Sequence, residues 1–447
     1  LASSSLKVVE ILEFFYISGN YMRMNRMLKT GLLVLVPCMI VAQPHKCYTD
    51  PAAARYLDNP GQRVTYRQAE VAARQWIAAN QGSRNTTVVQ IPVVFHVVYK
   101  NANQNIADSN LVRQVDILNE CFRLQNANFP QTRPIFDTIA ADVEVEFCLA
   151  TVDPQGNPTN GITRTSAPAG TFFDPLLGFD NVKADATGGK DPWPSDQYLN
   201  IWVCDMSFLG VVVVLGYATF PGGDPLVDGV VIQYNFIGYM PNNTTNGLGR
   251  TTVHEVGHWL GLRHIWGDGQ LSSPLCDSTD YVDDTPNADT ASQQSCMIKN
   301  TCSNESPYWT NAGIDPPDMI ENYMDYSYDA CMTMFTNGQK DRMLGFLNTT
   351  RASLLTSPGC GTTGLTHMNN TTVSLYPNPA EDFVEIRVGD DEYFELRFHD
   401  LAGRLSLKVH GTGTTRIDVA SLPGGICLYE LKIDGSQPVA GKMIRII

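Results

Sequence analysis

The pattern of apolar and polar positions changes character along the chain. Residues 43–87 are polar and helix-leaning, with Ala, Gln, Arg and Glu concentrated between Tyr66 and Asn80, and they end in the loop 81–87 (QGSRNTT). A β-branched run from Val88 to Tyr99 follows and predicts a buried strand. Beyond it the pattern predicts a helix over 109–122 and strands near 143–150, 198–204, 214–220 and 229–235. A helix is expected from Thr251 to Leu260 and a last amphipathic helix over 337–350, separated by a loop-rich, cysteine-rich stretch at 265–335. From Val373 the texture becomes strict alternation. Val384, Ile386 and Val388 alternate with Glu385 and Arg387, and Phe394, Leu396 and Phe398 with Glu395 and Arg397. Leu405/Leu407/Val409 and Tyr429/Leu431/Ile433 repeat the scheme, which predicts a small antiparallel β-sandwich behind a Gly/Thr/Asn-rich linker that begins at Gly359.

A chain of 447 residues has room for two or three folded units. Its net charge of −15 argues against a phosphate-binding surface, so no nucleic-acid partner is expected. Arg23, Arg26 and Lys29 precede the apolar run Gly31–Ala42, which is too short to span a bilayer and fits a secretory signal at 22–42. Residues 1–21 lie upstream of Met22, a candidate start, and are read as outside the protein proper. No other run of 18 apolar residues occurs, so the mature protein is expected to have no membrane span. Of the 11 cysteines, Cys38 would leave with the signal, and the rest would enter a compartment where disulfides persist.

The chemistry sits in 251–264, TTVHEVGHWLGLRH. On a helix His254 and His258 share a face and can reach one ion, and Glu255 can reach a water on it without being a ligand. Gly261 allows the chain to leave the helix with positive φ and bring His264 back as third ligand. Three protein ligands leave a position open. Zinc so held lowers the pKa of its water and polarises a scissile carbonyl, while Glu255 takes the proton and delivers it to the leaving amine. A structural zinc would use a closed, usually thiolate-rich set of four ligands.

This motif resembles that of the metzincin clan of zinc peptidases, H-E-x-x-H-x-x-G-x-x-H followed by a methionine turn. The turn in this sequence is Asn322-Tyr-Met-Asp-Tyr326, which implies Met324 as the floor beneath the histidines and Tyr326 as a hydrogen-bond donor to the reacting carbonyl. Within the clan the fuller resemblance is to the pappalysin family, including its ulilysin-like bacterial members. It rests on the zinc helix, Leu215–Pro221, Asp280–Pro286 and Asn322–Cys331, and covers roughly 88–355. It implies an α+β fold: a twisted mixed sheet, an active-site helix and an irregular lower subdomain, with Gly216–Phe220 as a free sheet edge that binds extended substrate.

The resemblance also implies the pairs Cys276–Cys302 and Cys296–Cys331; the residues alone allow three connectivities, and a second zinc site is the alternative. Asp280, Asp283 and Thr285 are implied as calcium ligands, against a plain solvated acidic loop. Cys47 falls where ulilysin-like proforms carry a latency cysteine, although a disulfide partner elsewhere is equally open. No assignment follows for Cys121, Cys148, Cys204, Cys360 or Cys427. Asp329, just past the methionine turn, could place a carboxylate in the pocket for the residue after the scissile bond (P1′), favouring Arg or Lys, or could instead bond backbone in its loop. Ulilysin-like enzymes show such a preference, and Ser83-Arg84 offers a matching activation site.

The segments Leu375–Ala380 (LYPNPA), Asp400–Arg404 (DLAGR), Leu422–Ile426 (LPGGI) and the terminal Lys442-Met-Ile-Arg445 resemble the C-terminal sorting domain of type IX secretion substrates, although Cys427 replaces the usual aromatic residue. That implies export through the periplasm to the outside or the cell surface, with the type IX machinery as partner. An Ig-like adhesive module is the alternative. The expected organisation is signal 22–42, pro-segment 43–84, catalytic domain 85–358, linker 359–372 and sorting sandwich 373–447. The expected function is a secreted zinc endopeptidase acting on proteins or peptides. The rival is a secreted binding protein on an inactive protease scaffold, against which Glu255 and Tyr326 both count.

Overall fold

The computed structural model describes residues 46–80, 88–360 and 375–445, apart from short stretches at 176, 209, 241–245, 268–274, 294, 304, 377–379, 388–392, 401–403 and 434–438. The expected signal segment, the residues before it, Ser83-Arg84 and most of the expected linker lie outside the described residues. The chain divides into two units, Leu1–Gly361 and Thr362–Ile447.

In the first unit α1 (Thr49–Leu57) and α2 (Pro60–Asn80) precede β1 (Val89–Tyr99). Strand β1 runs in parallel with β2 (Val145–Leu149) through Val89–Val93 and with β3 (Ile162–Ser166) through Phe95–Tyr99, and Val93–Val97 also pair in parallel with β4 (Leu199–Cys204). The sheet continues from β4 through β6 (Val230–Gln233), parallel, to β5 (Gly216–Ala218), which is antiparallel and forms the edge. A central parallel strand is covered on both faces, which is why β1 reads as an unbroken apolar run. Its residues sort by parity. Ile91, Val93, Phe95 and Val97 join a core with α3 (Asp108–Phe122) and α4 (Arg250–Trp259), while Val94 and Val98 enter separate clusters on the other side. His96 is buried between Thr163 Oγ1 (2.8 Å) and Asn200 Oδ1 (2.9 Å), and burial pushes its pKa down to about 4.

Strand β3 was not expected from the pattern, because Ile162-Thr-Arg-Thr-Ser166 has too little apolar character to announce a strand, whereas α1 and α2 fall within the stretch 43–87 read as helix-leaning. Helix α2 lays Ala69 and Ala73 on Phe346 of α5 (Asn337–Leu347), and Glu70 pairs with Arg342 at 2.6 Å. A second difference concerns the linker. Gly359 accepts from the Thr151 N–H at 2.8 Å and Cys360 is disulfide-bonded to Cys148, so the chain stays tied to the first unit beyond the expected break at 358.

The second unit holds β7 (Leu375–Tyr376), β8 (Phe383–Arg387), β9 (Tyr393–His399), β10 (Leu405–Thr412), β11 (Thr414–Asp418), β12 (Gly425–Ile433) and β13 (Val439–Arg445). They form two antiparallel sheets, ordered β11-β8-β7 and β10-β9-β12-β13, whose inward residues, among them Val384, Ile386, Leu396 and Leu431, share one core. Among the described residues, no helix is long and apolar enough to cross a membrane.

Candidate active site

Every residue of α4 is buried, so its histidines project into the protein interior and not into water. Its entry is fixed by Gly249 at φ +70° and by Asp329, whose Oδ2 accepts from the N–H groups of Leu248 (3.1 Å) and Arg250 (3.2 Å). A carboxylate at a helix N-terminus satisfies orphan donors and complements the dipole. Its exit is fixed by Gly261 at φ +94°, where a Cβ would come within 2.1 Å of the Phe346 ring.

His254, His258 and His264 meet in one place. The Nε2 atom of His258 lies 3.1 Å from that of His254 and 3.1 Å from that of His264. Each ring directs its other nitrogen at an acceptor: His254 Nδ1 to the Tyr323 carbonyl (2.7 Å), His258 Nδ1 to the Leu262 carbonyl (2.8 Å), and His264 Nδ1 to Asp50 Oδ2 (2.8 Å). Burial, with the neighbouring rings, pushes His258 down to about 3 and His254 well below its ordinary value, so both are neutral. With each Nδ1–H donated to its acceptor, each Nε2 is left to present a lone pair to the others. Three converging lone pairs are a donor set for a cation, and their all-nitrogen character suits zinc. Cys47 Sγ also belongs to this cluster, whose ligating atoms all lie within 4.8 Å of one another.

Glu255 lies beside the cluster. Its Oε2 accepts from Thr49 Oγ1 (2.8 Å) and Cys47 Sγ (3.4 Å), while Oε1 is buried without a partner. Burial pushes its pKa up to about 8, against the opposing effect of those two bonds. Met324 is buried, with its sulfur 2.6 Å from where a Cβ on Gly257 would stand, so glycine there lets it pack under the helix. Tyr326 packs edge-on to His264 and donates from its hydroxyl to the Cys47 carbonyl at 3.3 Å.

Cys276 is paired with Cys302 and Cys296 with Cys331, whereas Cys47, Cys121, Cys204 and Cys427 are unpaired and buried. The acidic loop does not gather as one cluster. Asp280 is buried, accepts from Thr285 Oγ1 (2.7 Å) and the Val282 N–H (3.0 Å), and is pushed by burial up to about 7; Asp283 lies exposed. Asp284, which the sequence did not single out, accepts from Thr336 Oγ1 (2.6 Å) and the Gly338 N–H (2.8 Å) at the start of α5. The sequence also gave no signal for Lys46, Thr49 or Asp50, since their partners are remote in the chain. Lys46 is buried, with Nζ 3.6 Å from Asp329 Oδ1.

A mixed sheet with one antiparallel edge, a buried helix bearing two of three clustered histidines and a glutamate between them define a zinc-dependent peptidase of the metzincin type. The sequence profile described as pregnancy-associated plasma protein-A matches residues 183–348, and that of the secretion system C-terminal sorting domain matches 374–445. Among solved structures, a promirolysin mutant of Tannerella forsythia is 38% identical, covers 70% of this chain and 97% of its own, and superposes with a TM-score of 0.58. Mature mirolysin of the same organism, in complex with a cleaved peptide, is 42% identical over 61% of this chain and 97% of its own, with a TM-score of 0.54. An extracellular metalloprotease of Sordaria macrospora is 40% identical over 147 residues, 31% of this chain and 46% of that protein. One from Colletotrichum graminicola is 29% identical over 304 residues, 65% and 89% of the two chains. The chain thus spans about half the length of the Sordaria relative. It belongs to the pappalysin family of metallopeptidases and carries a type IX sorting domain at its C-terminus. Extracellular relatives and that domain make it a secreted protein.

Proposed function

We propose that the chain is made as a latent proenzyme and, after a cut between Ser83 and Arg84 removes residues 43–83, acts as a secreted zinc endopeptidase cutting before Arg or Lys. The observation that carries this reading is the convergence of three imidazole lone pairs beside the buried carboxylate of Glu255. Zinc held by His254, His258 and His264 would act as a Lewis acid on the scissile carbonyl and on water. Glu255, released from Thr49 and Cys47 when the pro-segment leaves, accepts a proton and passes it to the leaving amine. Tyr326 now donates to the Cys47 carbonyl; in the open enzyme the same hydroxyl donates to the substrate oxygen as charge develops on it. Edge strand β5 pairs with extended substrate through its backbone, as the Tyr48 N–H does on the Gly216 carbonyl at 3.0 Å.

Latency is supported by the place of Cys47, unpaired and within the histidine cluster. The basic preference is supported by Asp329, fully buried, with Oδ1 left without a hydrogen bond. Calcium at 280–285 has the buried Asp280 carboxylate in its favour, with Asp283 drawn in on binding. The sorting domain hands the folded protein to the type IX machinery.

N-terminal sequencing of the activated form should begin at Arg84. Asp329→Asn keeps an acceptor for the α4 cap but removes the charge. It should lower kcat/KM before Arg or Lys by roughly 10–100-fold with zinc content unchanged. A different start, with cleavage indifferent to basic residues, would leave Asp329 as a helix cap and nothing more.

A further inference from the structure

Glu70, on helix α2, faces two arginines with one oxygen. Its Oε1 accepts from Arg342 Nη2 at 2.6 Å and lies 4.0 Å from Arg263 Nη2. Arg342 is buried in α5; its Nε donates to the Gly261 carbonyl at 2.8 Å, and its guanidinium lies 5.2 Å from the centre of the Phe346 ring. Arg263, between Gly261 and His264, lies over the Phe220 ring at 4.4 Å. Both guanidiniums are therefore held by groups outside 43–83. The carboxylate between them is not, because Glu70 leaves with the segment cut off at Ser83-Arg84. Asp50, which is also within electrostatic reach of Arg263, leaves with it. Asp280, near Arg342, already gives one oxygen to the Thr285 hydroxyl and the other to the Val282 N–H. Two like charges fixed around a place for one carboxylate repel each other until an anion returns.

We infer that Arg263 and Arg342 form, in the activated enzyme, a subsite for an acidic side chain of the substrate on the side before the scissile bond. This rests on the proposed loss of 43–83 and on the reading of Asp329 as the P1′ carboxylate. The side follows from α4. Asp329 caps its N-terminal end through Leu248 and Arg250, whereas Arg342 holds the Gly261 carbonyl just past its C-terminal end. The 10 residues of the helix span about 15 Å, with His254 and His258 along the way. The arginines thus lie across the histidine cluster from the pocket for the residue after the cut. Phe220 joins them to the cleft. It follows edge strand β5 closely in the chain and sets its ring edge-on to His258 at 5.4 Å. A substrate strand paired with β5 and prolonged past Ala218 passes Phe220 towards Arg263. At about 3.3 Å per residue, a Glu or Asp about two to four residues before the bond reaches the guanidiniums.

The test uses the activated, zinc-loaded enzyme after gel filtration, with loss of 43–83 checked by mass spectrometry. Peptides of one parent sequence, with arginine after the cut, carry either glutamate or glutamine at each position near it in turn, before and after the bond. The quantity read is the ratio of kcat/KM between the two peptides of each pair. A partly solvated carboxylate held by two arginines contributes about 3–10-fold. One or two positions before the cut should show a ratio of that size, falling towards unity as salt is raised, and no position after the cut should show it. The ratio should fall below about twofold in Arg263→Gln and largely survive in Arg263→Lys. Each ratio is internal to one enzyme, so a general loss of activity cancels. Should Arg263→Gln fail to fold by circular dichroism, Arg263→Met, which keeps an apolar stem on Phe220, repeats the comparison. Ratios near unity at every position in the parent overturn the inference and leave Glu70 a tie that holds α2. A ratio that persists in Arg263→Gln overturns it too, as does a preference found only after the cut. Failure of the underlying readings looks different. A segment 43–83 that stays bound to the cut enzyme overturns its proposed release and the subsite with it. Indifference to a basic residue after the bond overturns the Asp329 pocket alone, and the glutamate ratios still decide the subsite.

Discussion

Helix α4 and the stretch 265–335 supply parts of one site by different physics. In α4, regular spacing sets the side chains, and Val253, Val256 and Trp259 hold the helix in the apolar core that also contains β1. The stretch 265–335 has little regular structure, and its positions are set by specific pairs. Two disulfides cross it, Asn322 and Gln339 exchange hydrogen bonds at 2.9 and 3.0 Å, and Asp325 holds Ser327 Oγ at 2.5 Å and the Ser292 N–H at 3.0 Å. The clustered histidines of α4 thus rest on apolar packing shared with the whole unit, whereas Tyr326 and Asp329 rest on local polar and covalent ties. Damage to the first region should be global, and damage to the second should be local.

The largest effect is expected at Trp259, which is fully buried and carries Arg351 on its ring at 3.9 Å. Trp259→Ala should destabilise the whole first unit by about 3–5 kcal/mol in denaturant unfolding, because the cavity opens in the shared core. Next comes the paired substitution Cys276→Ser with Cys302→Ser, which opens a link between residues 26 apart. It should cost about 3 kcal/mol, and hydrogen exchange should rise across 275–335 while β1 and β4 stay protected. If both regions exchange together, the division drawn above is wrong.

The smallest effect is a pH dependence confined to the lower region. Burial holds Asp280 at about 7, up from an ordinary 3.8, against bonds from Thr285 and Val282 and the charge of Arg342, with Asp284 adding to the rise. The folded state therefore binds more protons than the unfolded one between those values. The contribution of this group to stability falls as pH rises from about 4 to about 7 and is flat beyond. Asp280→Asn should remove that share of the fall in a melting-temperature series, and calcium should reverse it in the parent if the loop takes the ion. A series unchanged by Asp280→Asn would show that the carboxylate is ionised throughout.

The same contrast decides what could be read from the sequence. Helix α4 and the alternating tail are periodic and β1 is an unbroken apolar run, so the residues alone locate them, to within a few residues at their ends, whereas the edge position of β5 was implied by the family resemblance. What could not be read depends on contacts between distant residues. The acceptor for His264 Nδ1 is Asp50, 214 positions away, and the carbonyl under Lys46 Nζ is 281 away. The Cys148–Cys360 bond, which extends the first unit past the expected linker start, joins residues 212 apart. Asp329 was open between a pocket carboxylate and a backbone-bonding residue; its two oxygens face in different directions, one capping α4 and the other facing Lys46.

The central claim is that Glu255 works beside a zinc ion held by three histidines to cut peptide bonds. Digestion of a peptide library by the mature, zinc-loaded protein, beside its Glu255→Gln variant, tests it directly. The account predicts cleavage before Arg and Lys that is lost on chelation and regained with zinc. Glu255→Gln should keep its zinc and lose roughly 10²–10⁴-fold in rate. Undiminished cleavage by the zinc-loaded Glu255→Gln variant, or a mature protein that holds zinc and cuts nothing, would contradict it.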